Sequence, residues 1–194
     1  VATATGTTTS LTITKPTGVV QNDLLIATLA ARGSTTITAP AGWTQVPQTN
    51  NGTTQTLAIF YRVATATDIA ATNYTFGLDP TAVGVAGAIL RYTGVDPRFP
   101  IDVSATATGT SANATAPTVT TTVADTTVLR IAGIPNNGTL TVPAGTVSRV
   151  NLVQNPGGTA NDTRLGVADA VQAAAGATGT AAFTNTSGAW VAAT

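Results

Sequence analysis

The sequence contains no cysteine, no histidine, no methionine and no glutamate. Without Cys, neither a disulfide framework nor a thiolate site for zinc or an iron–sulfur cluster is open to it. Without His, the commonest general base and the commonest metal ligand are both missing. Charged residues make up 8% of the chain, against about 25% in ordinary globular proteins. They balance to zero, so there is no basic stripe to displace counterions from nucleic acid, and no nucleic-acid partner is expected. Apolar runs are short: the longest, around Val83–Leu90, is interrupted by Gly84 and Gly87. That falls well short of the ~18 residues that span a bilayer as a helix, so no membrane span is expected. With no Met, Val1 is not an initiator residue; removal of a secretion signal and a trimmed end are the two readings.

What is present is Thr, Ala, Gly and Val. The β-branched residues favour strands, and with Glu and Met absent and a single Lys the usual helix formers are scarce. A chain of 194 residues buries roughly 70% of its unfolded surface and needs no covalent staple. Alternation supports strands directly. Leu11 and Ile13 alternate with Thr12 and Thr14; Leu57, Ile59 and Tyr61 share one face, and Ala58, Phe60 and Arg62 the other. Turn signals fall between the runs at Lys15-Pro16-Thr17-Gly18, Asn50-Asn51-Gly52, Asn136-Asn137-Gly138 and Pro156-Gly157-Gly158. The Ala-rich stretch Ala168–Ala175 lacks a cap and is cut by Gly176, so it reads as a strand end and loop.

An ordered series of matches joins the two halves of the chain. Asp23-Leu24-Leu25-Ile26 leads to Thr38-Ala39-Pro40-Ala41-Gly42, and Thr126-Thr127-Val128-Leu129 leads to Thr141-Val142-Pro143-Ala144-Gly145. Leu57-Ala58-Ile59 then matches Leu165-Gly166-Val167, and Tyr74-Thr75-Phe76 matches Ala181-Ala182-Phe183. Val85–Ile89 stands roughly opposite Gly188–Ala192. The fold expected is all-β: an antiparallel β-sandwich, jelly-roll or Greek-key-like, with an internal pseudo-twofold duplication. The halves are expected at about 9–94 and 117–194 within one domain, 9–194, sharing a single apolar interior. Two separate domains are the runner-up. Two asymmetries stand out: the second copy stops at Thr194, sooner than the first, and Val1–Thr8 has no evident counterpart. A short last strand leaves an open sheet edge, and a spare extended segment can fill one.

Several segments resemble, in order, a β-sandwich module of secreted and cell-surface bacterial proteins and phage tail-associated proteins. They are Thr9–Pro16, Asp23–Ala27, Ala39–Thr44, Tyr92–Asp96, Pro100–Asp102, Ala116–Thr121 and Ala174–Gly179, so the resemblance runs from about Thr9 to Trp190. It implies an extracellular or surface location and a sandwich fold, but no activity. The module ends on a longer last strand, from which the stop at Thr194 departs.

Candidate chemistry is sparse. A Ser–Lys dyad would have to use Lys15, which precedes a proline in a turn-like segment. The eight acidic residues are all Asp, and most adjoin turn residues, where Asp caps the local backbone. Asp96 and Asp102 flank Pro97–Pro100 and are the one weak calcium candidate, with turn capping the plainer reading. Trp43 and Trp190 are candidates for sugar stacking, with packing between sheets the default. No catalytic residue and no cofactor are expected. The leading expectation is a non-catalytic structural subunit of an extracellular assembly, such as a fibre, pilus-like filament or surface layer. Its partner is the protein itself, joined by donation of the segment 1–8, with Val1, Ala2, Thr3, Ala4 and Thr5 as the contact. The alternative is an adhesive or carbohydrate-binding module of a surface or phage-tail protein, with a glycan as partner.

Overall fold

The computed structural model describes residues 1–155 and 160–194; the turn expected at Pro156-Gly157-Gly158 lies outside the described residues. The first half contains β1 (Ala2–Thr14), β2 (Leu24–Arg32), β3 (Thr36–Thr38), β4 (Thr44–Asn51), β5 (Gln55–Val63), the short helix α1 (Ala66–Ala70) and β6 (Asn73–Tyr92). The second contains β7 (Thr106–Ala116), β8 (Thr120–Thr121), β9 (Thr126–Ile134), β10 (Leu140–Thr141), β11 (Val147–Gln154), β12 (Thr163–Gln172), β13 (Gly176–Ala177) and β14 (Ala181–Ala193). The protein is an all-β antiparallel sandwich: two large sheets packed together, as the alternation and turn spacing predict.

The duplication is visible strand by strand. One sheet runs β1-β6-β2-β5-β4 with β3 also on β6; the other runs β7-β14-β9-β12-β11 with β10 also on β14. The Pro-Ala-Gly matches form the same turn twice. Trp43 N–H donates to Pro40 O at 3.4 Å and Thr146 N–H to Pro143 O at 3.3 Å, with Gly42 and Gly145 at φ 86° and 77°. Only glycine takes that left-handed conformation without strain. Asn22 and Asp125, at φ 72° and 56°, mark a second shared bend just before β2 and β9.

Two expectations need correction. The first is the spare N-terminal segment. Ala2-Thr3-Ala4-Thr5-Gly6-Thr7 recurs identically as Ala105-Thr106-Ala107-Thr108-Gly109-Thr110, at the 103-residue interval that separates Pro40 from Pro143. Ala2–Gly6 pair with Ile89–Val85 of the same chain, and Thr106–Ser111 pair with Ala193–Gly188. Ala2, Thr3, Ala4 and Thr5 are thus the first rungs of β1, and the halves begin with β1 and β7 rather than near residues 9 and 117. Val1 lies just outside the strand.

The second correction is the single apolar interior. The long strands fold back over their own sheet, so each half closes a core of its own. In the first, Leu11, Ile13, Tyr74 and Phe76 cover Leu25, Leu29 and Phe60. In the second, Phe183, Trp190 and Leu140 pack with Ala132, Ile134 and Ala168. A third cluster is the seam between the sheets, and counterpart positions enter it from both sides: Leu57 and Leu165, Ile59 and Val167, Val46 and Val150, Ala86 and Val191. The two halves therefore meet through the same surface, as in an isologous contact. The alternating faces of β5 explain this division, because Ala58 and Phe60 point into the first core while Leu57 and Ile59 point into the seam.

Candidate functional site

The halves differ most at one end of the seam. Along β2, β6 is paired from Ala31 to Leu24, ending at Tyr92. Along β9, β14 is paired only at Gly133, Ala132 and Ile131. Ala192 sits opposite Ala132 and Ala107 as Gly87 sits opposite Leu29 and Ala4, so Thr194 stands where Ile89 does in the first copy. Within the described residues, Leu90, Arg91 and Tyr92 have no counterparts. Thr127, Val128, Leu129 and Arg130 accordingly have β12 on one flank and no strand on the other.

Beside that edge lies a groove of about 420 Å³. Its floor includes Leu24, Ile26 and Ile59 from the first sheet and Leu129 and Ile131 from the second. One wall is the loop after β6, carrying Val95, Phe99 and Ile101; the other carries Val119 and Val123. Phe99 is 79% exposed and Val123 56% exposed at the rim, so apolar surface continues out of the groove. The loop is tied across by Asp102, whose carboxylate accepts Thr122 N–H at 2.8 Å and Thr122 Oγ1–H at 2.5 Å. Those two bonds hold the Asp102 carboxyl below its ordinary value.

Arg130 secures the inner end. Its guanidinium donates to Pro117 O at 3.0 Å, Thr194 Oγ1 at 2.6 Å, and Thr178 O and Gly179 O at 3.0 Å each. Ala105 and Thr194 exchange two backbone hydrogen bonds of 3.0 Å. Burial pushes the Arg130 pKa down from its ordinary value, and no carboxylate answers its charge among the residue's hydrogen bonds. A separate polar cluster joins the two halves. Tyr92 Oη–H donates to Asp169 Oδ2 at 2.9 Å, and Arg149 Nε lies 2.8 Å from the same oxygen. Burial raises the Tyr92 phenol above its ordinary value, and the Asp169 charge raises it further.

The other sequence candidates are dispersed. Asp96 Oδ1 accepts Arg98 N–H at 2.9 Å and so caps its own turn, while Asp102 is committed to Thr122. Asp162 is fully buried with neither carboxylate oxygen hydrogen-bonded among the described residues. No group of three metal-ligating side chains occurs among those residues. Lys15 Nζ donates to Ile69 O at 2.5 Å, in a backbone contact rather than a dyad. Trp43 and Trp190 are not brought together. Trp43 packs edge-on against Tyr74 and Phe76, with centroids at 5.1 and 5.6 Å, in the first core. Trp190 lies in the second core and donates from Nε1 to Ser111 Oγ at 3.0 Å. Its ring covers Gly109 so closely that a Cβ there would fall 2.3 Å from Cζ2. The two indoles share no stacking face; Trp43, half-buried, also lines a surface pocket with Thr36, Thr38, Gln45 and Gln48.

Two polar clusters escape the sequence reading. Asp68 is joined by Thr65, Tyr74 and Arg62, and the signal for it was the Thr65-x-x-Asp68 spacing of a capping box. The Tyr92–Asp169–Arg149 cluster joins residues from both halves and had no local signal. Compared with known proteins, the chain matches no family model, no curated protein and no solved structure.

Proposed function

We propose that this protein is a non-catalytic structural subunit of an extracellular assembly, a fibre, pilus-like filament or surface layer, in which subunits join by strand pairing. The observation that carries the reading is that each large sheet ends on a strand paired on one side only among the described residues, β4 on β5 and β11 on β12. An open edge of this kind is a template for another chain, and proteins that do not use one normally cover or charge it. Here the nearby surface is apolar, and zero net charge leaves little repulsion between copies. Ala2–Thr5 are paired with Ile89–Ala86 within their own sheet, so in this reading they leave β6 to pair with an edge of the neighbouring subunit.

Size-exclusion chromatography with light scattering, followed by negative-stain microscopy, tests the reading. Concentration-dependent oligomers or filaments are expected at physiological salt. A strictly monomeric protein at millimolar concentration would overturn it.

A further inference from the structure

We propose that the pocket beside Trp43 binds an uncharged saccharide, one pyranose ring resting with its C–H face on the exposed part of the indole. The inference stands apart from the assembly reading and holds for a monomer and a filament alike. The pocket has a volume of about 330 Å³ and is lined by β3 and β4, together with the buried ring of Phe60. That is the lower end of the range for small-molecule sites, enough for one ring. No charged side chain lines it, so nothing there favours an ionic ligand. Thr36, Thr38 and Gln45 are exposed, and their side chains carry no hydrogen bond among the described residues. Gln48 is held in place: its Oε1 accepts Ile37 N–H at 3.0 Å and its Nε2 donates to Thr35 O at 2.9 Å. A side-chain amide has two N–H groups and two lone pairs, so one of each remains. A partly exposed indole among amides and hydroxyls offers an apolar platform ringed by hydrogen-bonding groups. Those are the two kinds of surface that a sugar ring presents in return.

The internal duplication isolates what is particular to this pocket. Pairing register sets Gln45 and Phe60 of the first half against Ser148 and Ala168 of the second, and the shared turn sets Trp43 against Thr146. Thr36 and Thr38 correspond to Thr139 and Thr141 at the same 103-residue interval that separates Pro40 from Pro143. Gln48 corresponds to Asn151, which also reaches across to the neighbouring strand, from Nδ2 to Leu140 O at 2.9 Å. The second half thus keeps the frame and lacks the indole, the aromatic ring and the long amide. Packing does not account for these additions. A buried indole normally pairs its N–H, as Trp190 does with Ser111. Trp43 Nε1 has no acceptor among the described residues, and its ring stays half-buried. Gln45 is exposed and has no part in the core.

Two-dimensional NMR of the isotope-labelled protein tests this, because the indole N–H signals of Trp43 and Trp190 report separately. Glucose, galactose, mannose and N-acetylglucosamine are each titrated in. At least one is expected to shift the Trp43 signal saturably, with a Kd in the millimolar range that suits a single ring in an open pocket. The Trp190 signal should stay in place. Glucuronate should bind no more tightly than glucose. Gln45→Ala should weaken binding at least threefold without moving the thermal midpoint, since Gln45 is exposed. The double variant Trp43→Thr/Gln45→Ser, which copies the second half, should lose binding altogether. The inference is overturned if none of the four sugars moves the Trp43 signal, or if binding is unchanged in Gln45→Ala and in the double variant. A preference for glucuronate over all four would equally overturn it, since the ligand would then be an anion.

Discussion

Replacing Asp68 with alanine is expected to destabilise the protein by about 3–5 kcal/mol, the range for stripping one partner from a buried charged network. Asp68 is 2% exposed and accepts Thr65 N–H at 2.8 Å, Thr65 Oγ1–H at 2.7 Å and Tyr74 Oη–H at 2.7 Å. Arg62 Nε lies 2.7 Å from its Oδ1 as an ion pair. Burial alone would push the carboxyl up, but the bonds from Thr65, Tyr74 and Arg62 outweigh it and hold the pKa at about 2. A carboxyl depressed on folding contributes stability that is complete above its unfolded value of 3.8. The contribution is lost as pH falls towards 2, and amounts to at most about 2 kcal/mol. Urea titrations at pH 7 and across pH 4 to 2 should show this acid-linked loss in the wild type and a flatter profile in Asp68→Ala. Equal midpoints for the two proteins at pH 7 would show that the network contributes nothing.

Arg130→Met is expected to cost roughly 1.5–3 kcal/mol, the range for hydrogen bonds to a charged group, because the bonds of a buried guanidinium to part-buried carbonyls are lost together. Those of Pro117, Thr178 and Gly179 lose their guanidinium N–H groups together. Arg130→Lys should recover little of this. A single ammonium carries three donors and lacks the planar fork that reaches Thr178 and Gly179 as well as Pro117. Urea denaturation gives the magnitude, and amide exchange at Thr178 and Ala105 gives the location. A Met variant as stable as the parent would mean that water replaces the guanidinium without penalty.

Much of the fold was legible because it depends on local signals. Alternation at Leu11–Thr14 and at Leu57–Arg62, with glycine turns between runs, gave the strands. The ordered matches at Pro40/Pro143, Ala58/Gly166 and Phe76/Phe183 agree with the pairing registers. Low complexity hid the rest. Ala2–Thr7 and Ala105–Thr110 are identical, yet Thr and Ala are so common here that the match carried no signal by itself. The alignment of Val85–Ile89 with Gly188–Ala192 was two positions out: register places Val85 opposite Gly6 and Trp190 opposite Gly109. Irregularities on each side, at Gly6/Thr8 and Thr184/Gly188, shift the count. The groove was not legible, since its lining comes from residues scattered from Leu24 to Thr194, joined only by tertiary packing.

The repeated hexapeptide has a consequence for how the chain reaches its native form. Ala2–Thr7 and Ala105–Thr110 present the same backbone and side chains to β6 and β14, whose facing rungs are Val85–Ile89 and Ala189–Ala193. Nothing in those six residues distinguishes the correct receiver from the wrong one. Discrimination falls to the downstream ends of β1 and β7, with Leu11 and Ile13 in one copy and Ala114 and Ala116 in the other, because these are the residues that enter the cores. During refolding each copy can therefore be captured by the other's receiver before those anchors have docked. Such cross-captured chains are entangled isomers, a familiar hazard of tandem repeats, and synthesis from the N-terminus avoids them by letting β1 and β6 close before β7 emerges.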